Sequence, residues 1–206
     1  MNTESILQRT RVLLNDEPSV KFSNVQLETA LGQVLVQLNA KVPHVSTLEF
    51  TEAPENDVLV LPVIDGLRNV LSLQCLDLQP PAQAAFHYDA DHPTQLELQG
   101  DFPDQELHWR LKAVVNHRIE GLDGAETSTI PNYCEMLLAS GTAAYALQMR
   151  NTQLSESVNQ ETAHYQAIQQ NMKMYENQFQ TMLMAWQSAQ PQIEPVFPDG
   201  VGWPLD

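Results

Sequence analysis

Basic side chains are scarce in this chain: ten Lys and Arg stand against 26 Asp and Glu, a formal net charge of -16 over 206 residues. Affinity for a phosphate backbone comes from basic residues displacing counterions, so a general grip on nucleic acid is excluded. Cysteine is scarcer still. Cys75 and Cys134 offer no disulfide framework and read as reduced, buried small hydrophobes, which points to a reducing compartment. Eight glycines exclude collagen-like or Gly-rich architecture. Long apolar runs are missing too: the longest aliphatic stretch, Val58 to Ile64, is broken by Pro62. It falls far short of the roughly 20 residues that a bilayer span requires. Met1 to Ser5 has neither the basic nor the apolar region of a signal peptide, so the expectation is that nothing here targets or spans a membrane.

What is present is a globular composition. Apolar residues make up 43% of the chain, with three Trp, six Phe and five Tyr, enough for one sizeable domain or two small ones. Ile6, Leu7, Leu13 and Leu14 lie at helical spacing within Glu4 to Leu14, and Asn15-Asp16-Glu17-Pro18 stops that helix. A second start follows in Phe22-Ser23-Asn24-Val25-Gln26-Leu27. Here Ser23 and Gln26 form a capping box and Phe22 staples onto Leu27. Leu27, Leu31, Val34, Leu35 and Leu38 then make one apolar stripe, ended by Pro43.

Between Val45 and Asn116 the period falls to two. Val45–Thr51, Val58–Leu61, Val70–Leu78, Gln95–Gln99 and Glu106–Asn116 read as short strands separated by Pro, Gly, Asn and Asp. The last is the clearest, with Leu107, Trp109, Leu111, Ala113 and Val115 alternating with polar residues. After a loop, Ile130-Pro131-Asn132 opens a helix to about Arg150, whose small residues Ala139 to Ala144 allow close helix approach. The spacing predicts a final helix from about Ser155 to Ser188, roughly 51 Å long. Its seam runs through Val158, Tyr165, Ile168, Met172, Tyr175, Phe179, Met182 and Trp186. Because the earlier helices are too short to cover that length, the seam from Tyr165 to Trp186 is expected to meet another subunit. Beyond Ala189, four prolines forbid a helix while Ile193, Val196, Phe197, Val201 and Trp203 are too apolar for an inert linker, so an extended arm is expected.

Candidate chemistry is thin. His87, Asp89, Asp91 and His92 crowd into six residues and offer N and O ligands, yet no second ligand set accompanies them, and an acidic turn between strands explains them as well. Ser140 sits inside a predicted helix and lacks the first glycine of a nucleophile elbow. Cys134 and His117 have nothing that fixes them together. Gly121, Gly124 and Gly141 are wrongly spaced for a phosphate-binding loop. The residues therefore predict no catalytic centre, no cofactor and no metal.

The order of the segments resembles the head-to-tail adaptor (connector, or neck) proteins of tailed bacteriophages. Arg11-Val12-Leu13-Leu14-Asn15-Asp16 followed by Phe22-Ser23 is similar to the family's opening. So are Pro93-Thr94-Gln95-Leu96-Glu97-Leu98, the strand into His117-Arg118-Ile119-Glu120-Gly121-Leu122-Asp123, and Thr129-Ile130-Pro131-Asn132-Tyr133 before an Ala-rich helix. Members commonly carry Asp where this chain has Asn132, and the arm matches no motif of theirs. The resemblance implies a homo-oligomeric ring, plausibly of twelve copies, that joins the DNA-filled head to the tail in the virion after synthesis in the host bacterial cytoplasm. It implies contacts with the portal protein, through the arm, and with a tail or tail-completion protein. DNA would pass through an acidic lumen without specific binding, since a negative wall repels it. Acidity that merely keeps an assembly protein soluble is an equally ordinary account.

The expected fold is α+β: a helical bundle of an N-terminal helix pair (1–44) and two late helices (117–188), an inserted antiparallel β region (45–116) and the extended C-terminal arm (189–206). The expected role is structural, with no reaction performed. Competing readings are another neck or tail component, such as a tail-completion or gatekeeper protein, and a small metal-dependent hydrolase built on His87, Asp89, Asp91 and His92.

Overall fold

The computed structural model describes residues 1–190 apart from 79, 90, 101 and 156–161, with the side chains of 153–155 and 162–164 also left aside. The described residues fall into two compact units. One is helical, from residues 1–42 and 117–190; the other is a sheet, from residues 43–116.

In the helical unit, α1 spans Thr3–Leu13 and α2 spans Asn24–Lys41. The capping box forms as the sequence dictates: Gln26 N–H donates to Ser23 Oγ at 3.2 Å and Ser23 N–H donates to Gln26 Oε1 at 2.9 Å. A short 3-10 turn, Asn132–Cys134, leads into α3, Glu135–Ser155, and α4 runs Thr162–Ala189. Leu27, Leu31, Val34 and Leu38 of α2 are fully buried. Burial of such side chains stabilises the fold by roughly 1.5–3 kcal/mol each.

The helices nevertheless do not assemble as the sequence predicts. An N-terminal helix pair, the expected foundation of the bundle, does not form: α1 and α2 scarcely touch, and each packs on α3, as does α4. The physical reason lies in α3. Leu138, Ala139, Ser140, Ala143 and Ala146 are almost completely buried, so α3 is the centre that three other helices share. At Gly141 an added Cβ would lie 2.8 Å from Val34 Cγ2 of α2 and 2.9 Å from Phe179 Cδ2 of α4. Only glycine lets both neighbours approach that far.

The last helix also differs from expectation. Ser155 belongs to α3, and the described part of α4, Thr162–Ala189, has 28 residues and spans about 42 Å. Val158 lies outside the described residues.

The loop between α1 and α2 is held by a buried ion pair. Arg11 Nη1 donates to Asp16 Oδ2 at 3.0 Å, with the two side chains 8% and 1% exposed. Arg11 also donates to Phe22 O at 3.0 Å and to Asn24 Oδ1 at 2.7 Å. The Asp16 carboxylate in turn accepts backbone N–H groups from Val20, Lys21 and Phe22 at 2.8–3.0 Å. Burial raises the Asp16 pKa, but those three amides and the Arg11 charge outweigh it and hold the carboxyl below its ordinary value.

The sheet unit is one curled, six-stranded antiparallel sheet. Its strands are β1 His44–Glu52, β2 Val58–Val60, β3 Leu67–Cys75, β4 Ala82–Tyr88, β5 Gln95–Gln99 and β6 Leu107–Val115, in the spatial order β1-β6-β3-β4-β5-β2. β6 lies between β1 and β3, and its period-two pattern is realised: Leu107, Trp109, Leu111, Ala113 and Val115 are buried. Trp109 Nε1–H donates to Glu52 O at 3.0 Å, which satisfies the polar end of a fully buried ring. β4 was not foreseen. It changes partner half-way, pairing with β3 through Ala82–Ala84 and with β5 through Ala85–Tyr88, and this hand-over accompanies the curl.

Candidate functional site

Of the sequence-derived chemical candidates, His92 Nδ1 meets Asp89 Oδ2 at 2.9 Å in an exposed turn. That bond comes first among the causes that hold the Asp89 carboxyl below its usual range, followed by the amide of Asp91. No group of three or more potential metal ligands occurs among the described residues. His117 and Cys134 are both buried, and the His117 ring is engaged elsewhere. His117 Nε2 lies 3.1 Å from Val42 O, an acceptor only, so the ring carries its proton there; Nδ1 lies 3.2 Å from Thr129 Oγ1, and the ring packs 5.4 Å from that of Trp186. Burial pushes the Cys134 thiol up to about 11, the opposite of what a thiolate nucleophile needs. Ser140 is fully buried, and its hydroxyl has no hydrogen-bond partner among the described residues.

The seam assigned to a subunit interface is placed inside the chain's own core. Ile168, Tyr175, Phe179 and Trp186 are buried together with residues of α1, α2 and α3, and Met172 and Met182 pack against the same cluster. Tyr165 is half-buried. Tyr175 donates its hydroxyl to Leu13 O at the end of α1. From Ile168 to Trp186 the seam thus packs within the chain's own helical unit. The arm residues Ile193, Val196, Phe197, Val201 and Trp203 lie outside the described residues.

What the sequence does not announce is a groove of about 340 Å³ between α2, α3 and α4. Met172, Phe179 and Ala144 supply its apolar lining, and Gln37, Tyr145, Gln148, Asn151, Glu176 and Gln180 its polar groups. Gln37 Nε2 donates to the Tyr145 hydroxyl, and Gln180 Nε2 donates to Gln37 Oε1 at 3.3 Å. Asn151 Oδ1 is buried with no hydrogen-bond partner among the described residues. Burial, and secondarily the Glu176 carboxylate, raise the Tyr145 pKa. Tyr145, Gln148 and Thr152 follow one another at helical spacing on α3, as do Met172, Glu176 and Gln180 on α4. The mixture of polar and apolar residues hides that face from a search for an apolar stripe.

Neither a family model nor a curated protein matches the chain.

Proposed function

We propose that the chain is a structural subunit of the neck of a tailed bacteriophage, a head-to-tail adaptor that assembles as a ring beneath the portal and catalyses nothing. The observation that carries this reading is that three of the four stretches behind the resemblance, at 11–23, 117–123 and 129–133, are joints of the helical unit, while 93–98 belongs to the sheet unit. In the first, Asp16 and the backbone of Phe22 meet around Arg11 in one buried cluster. In the second, Glu120 O accepts both the backbone N–H and the hydroxyl of Thr3 at 2.9 Å, tying the start of α1 to the segment after the sheet. In the third, Thr129 Oγ1 accepts the Arg118 N–H at 2.9 Å. Such joints fix helix directions without creating a reactive centre, which suits a scaffold.

With the α4 seam used internally, contacts between copies would fall on the outer helix faces. There Val25 and Val36 of α2 and Met174 and Met184 of α4 are 51–70% exposed. The charge of -16 then gives a ring whose wall repels DNA in transit. Sedimentation velocity of the purified protein tests the reading. A discrete high-mass species at micromolar concentration supports it, and a monomer at every concentration counts against it.

A further inference from the structure

β1 is an open edge of the sheet, and its neighbour β6 shows which of its backbone groups face outward. His108 O accepts the Leu76 N–H and Asn116 N–H donates to Gly66 O, both at 2.8 Å, so the even-numbered residues of β6 turn their backbone groups toward the β3 side. Leu107, Trp109, Leu111, Ala113 and Val115 therefore bond β1, through Glu52, Phe50, Leu48, Ser46 and His44 opposite them. By the same alternation Val45, Thr47, Glu49 and Thr51 turn their N–H and C=O groups off the edge, where the described residues offer them no partner.

Sheets usually guard such an edge with a short strand, a proline, a lysine or a bulge. The opposite edge is guarded by length, since β2 has three residues. β1 has nine, contains no Pro or Lys and keeps an unbroken register with β6. Leu48, on the same face as the buried Leu111, is 37% exposed. The strand is also complementary to itself. A second β1 laid antiparallel about Leu48 engages its whole length: Val45 exchanges backbone bonds with Thr51 of the second copy and Thr47 with Glu49, while Leu48 meets Leu48, Ser46 meets Phe50 and His44 meets Glu52. No like charges stand opposite each other, and Glu49 is already held by Arg110 at 2.8 Å. The neighbouring registers are worse. One sets Glu49 against Glu49, and the other brings Pro43, which has no N–H, opposite Thr51.

We infer that β1 pairs with β1 of a second copy about a two-fold axis at Leu48, joining the two sheets into one. Such a pair points its copies in opposite directions, so it is not the contact between neighbours of a one-way ring. It covers the edge in the protein apart from any portal and does not rest on the neck reading.

The test uses the full-length protein. Leu48→Cys should form a disulfide-linked dimer under mild oxidation, because directly opposite side chains of a non-hydrogen-bonded pair approach most closely. Thr51→Cys, opposite Val45 and far from its own copy, should form none, like the wild type, whose two cysteines are buried. In isotope-labelled protein followed by NMR, the amides of Val45, Thr47, Glu49 and Thr51 should gain protection from hydrogen exchange as concentration rises from micromolar to millimolar, while those of Ser46, Leu48 and Phe50 are protected throughout. Thr47→Pro removes one outward N–H and leaves the β6 ladder intact, so it should weaken self-association at least about tenfold with an unchanged circular dichroism spectrum. Protection of the four outward amides that does not depend on concentration would assign the edge to a segment of the same chain. Their exposure at every concentration would leave it to another protein, and equal crosslinking of the two Cys variants would deny the register; each of these results overturns the inference.

Discussion

Asp16 is the side chain whose loss should cost the helical unit most for its size. Asp16→Ala removes the acceptor of three backbone amides and strands the Arg11 guanidinium, which is only 8% exposed, without its counter-charge. Breaking a buried pair from one side typically costs about 3–5 kcal/mol, a large share of the roughly 5–15 kcal/mol that holds a domain folded. Asp16→Asn is the sharper probe because it keeps the shape. One amide oxygen can still serve Val20 and Lys21, but the new NH2 faces the donors Phe22 N–H and Arg11 Nη1, so a loss of about 2–4 kcal/mol remains. Arg11→Met combined with Asp16→Asn should recover part of it, since the stranded charge is then gone. The pH dependence follows from linkage. The folded-state pKa of Asp16 is lowered, so its contribution is full above the unfolded carboxylate value near ~3.9 and is lost as pH falls through the folded value. The wild-type protein should therefore lose more stability than Asp16→Asn on acidification below about pH 4. Urea unfolding followed by helical circular dichroism measures all of this through the midpoint at constant slope. Asp16→Ala within about 1 kcal/mol of wild type would refute the reasoning.

Gly141→Ala should lower the helical unit's stability by about 1–2 kcal/mol, as read from the thermal midpoint: overpacking against Val34 and Phe179 outweighs the roughly 1 kcal/mol that alanine gains in a helix. Phe179→Ala should cost about 3–5 kcal/mol in urea unfolding, because it empties core within one chain; unchanged stability with lost self-association would instead restore the interface role expected from the sequence. Cys134 should resist iodoacetamide at pH 8 in the folded protein and react once denatured, as peptide mass spectrometry can locate; rapid native labelling would contradict its burial and its raised pKa.

Local signals were legible in the sequence where one short-range rule dominated. Ser23 and Gln26 announce their capping box three residues apart, and the alternation of β6 gives its buried face residue by residue. Partner choice was not legible. The stripes of α1 and α2 say that each helix buries a face but not that both faces meet α3, and an apolar seam on α4 looks the same whether α3 or a second copy covers it. β4 escaped because Ala and Gln are weak strand formers, and only Ala84, Phe86 and Tyr88 hint at its period. The Arg11–Asp16 pair and the groove around Asn151 depend on polar residues that the fold brings together, for which no spacing rule exists.

The central claim, that the chain is a ring-forming adaptor between phage head and tail, is tested most directly by imaging the purified protein mixed with purified portal rings. A closed ring of copies seated on one end of the portal is the predicted result. Portal rings left bare, with the protein remaining as single copies at saturating concentration, would contradict it.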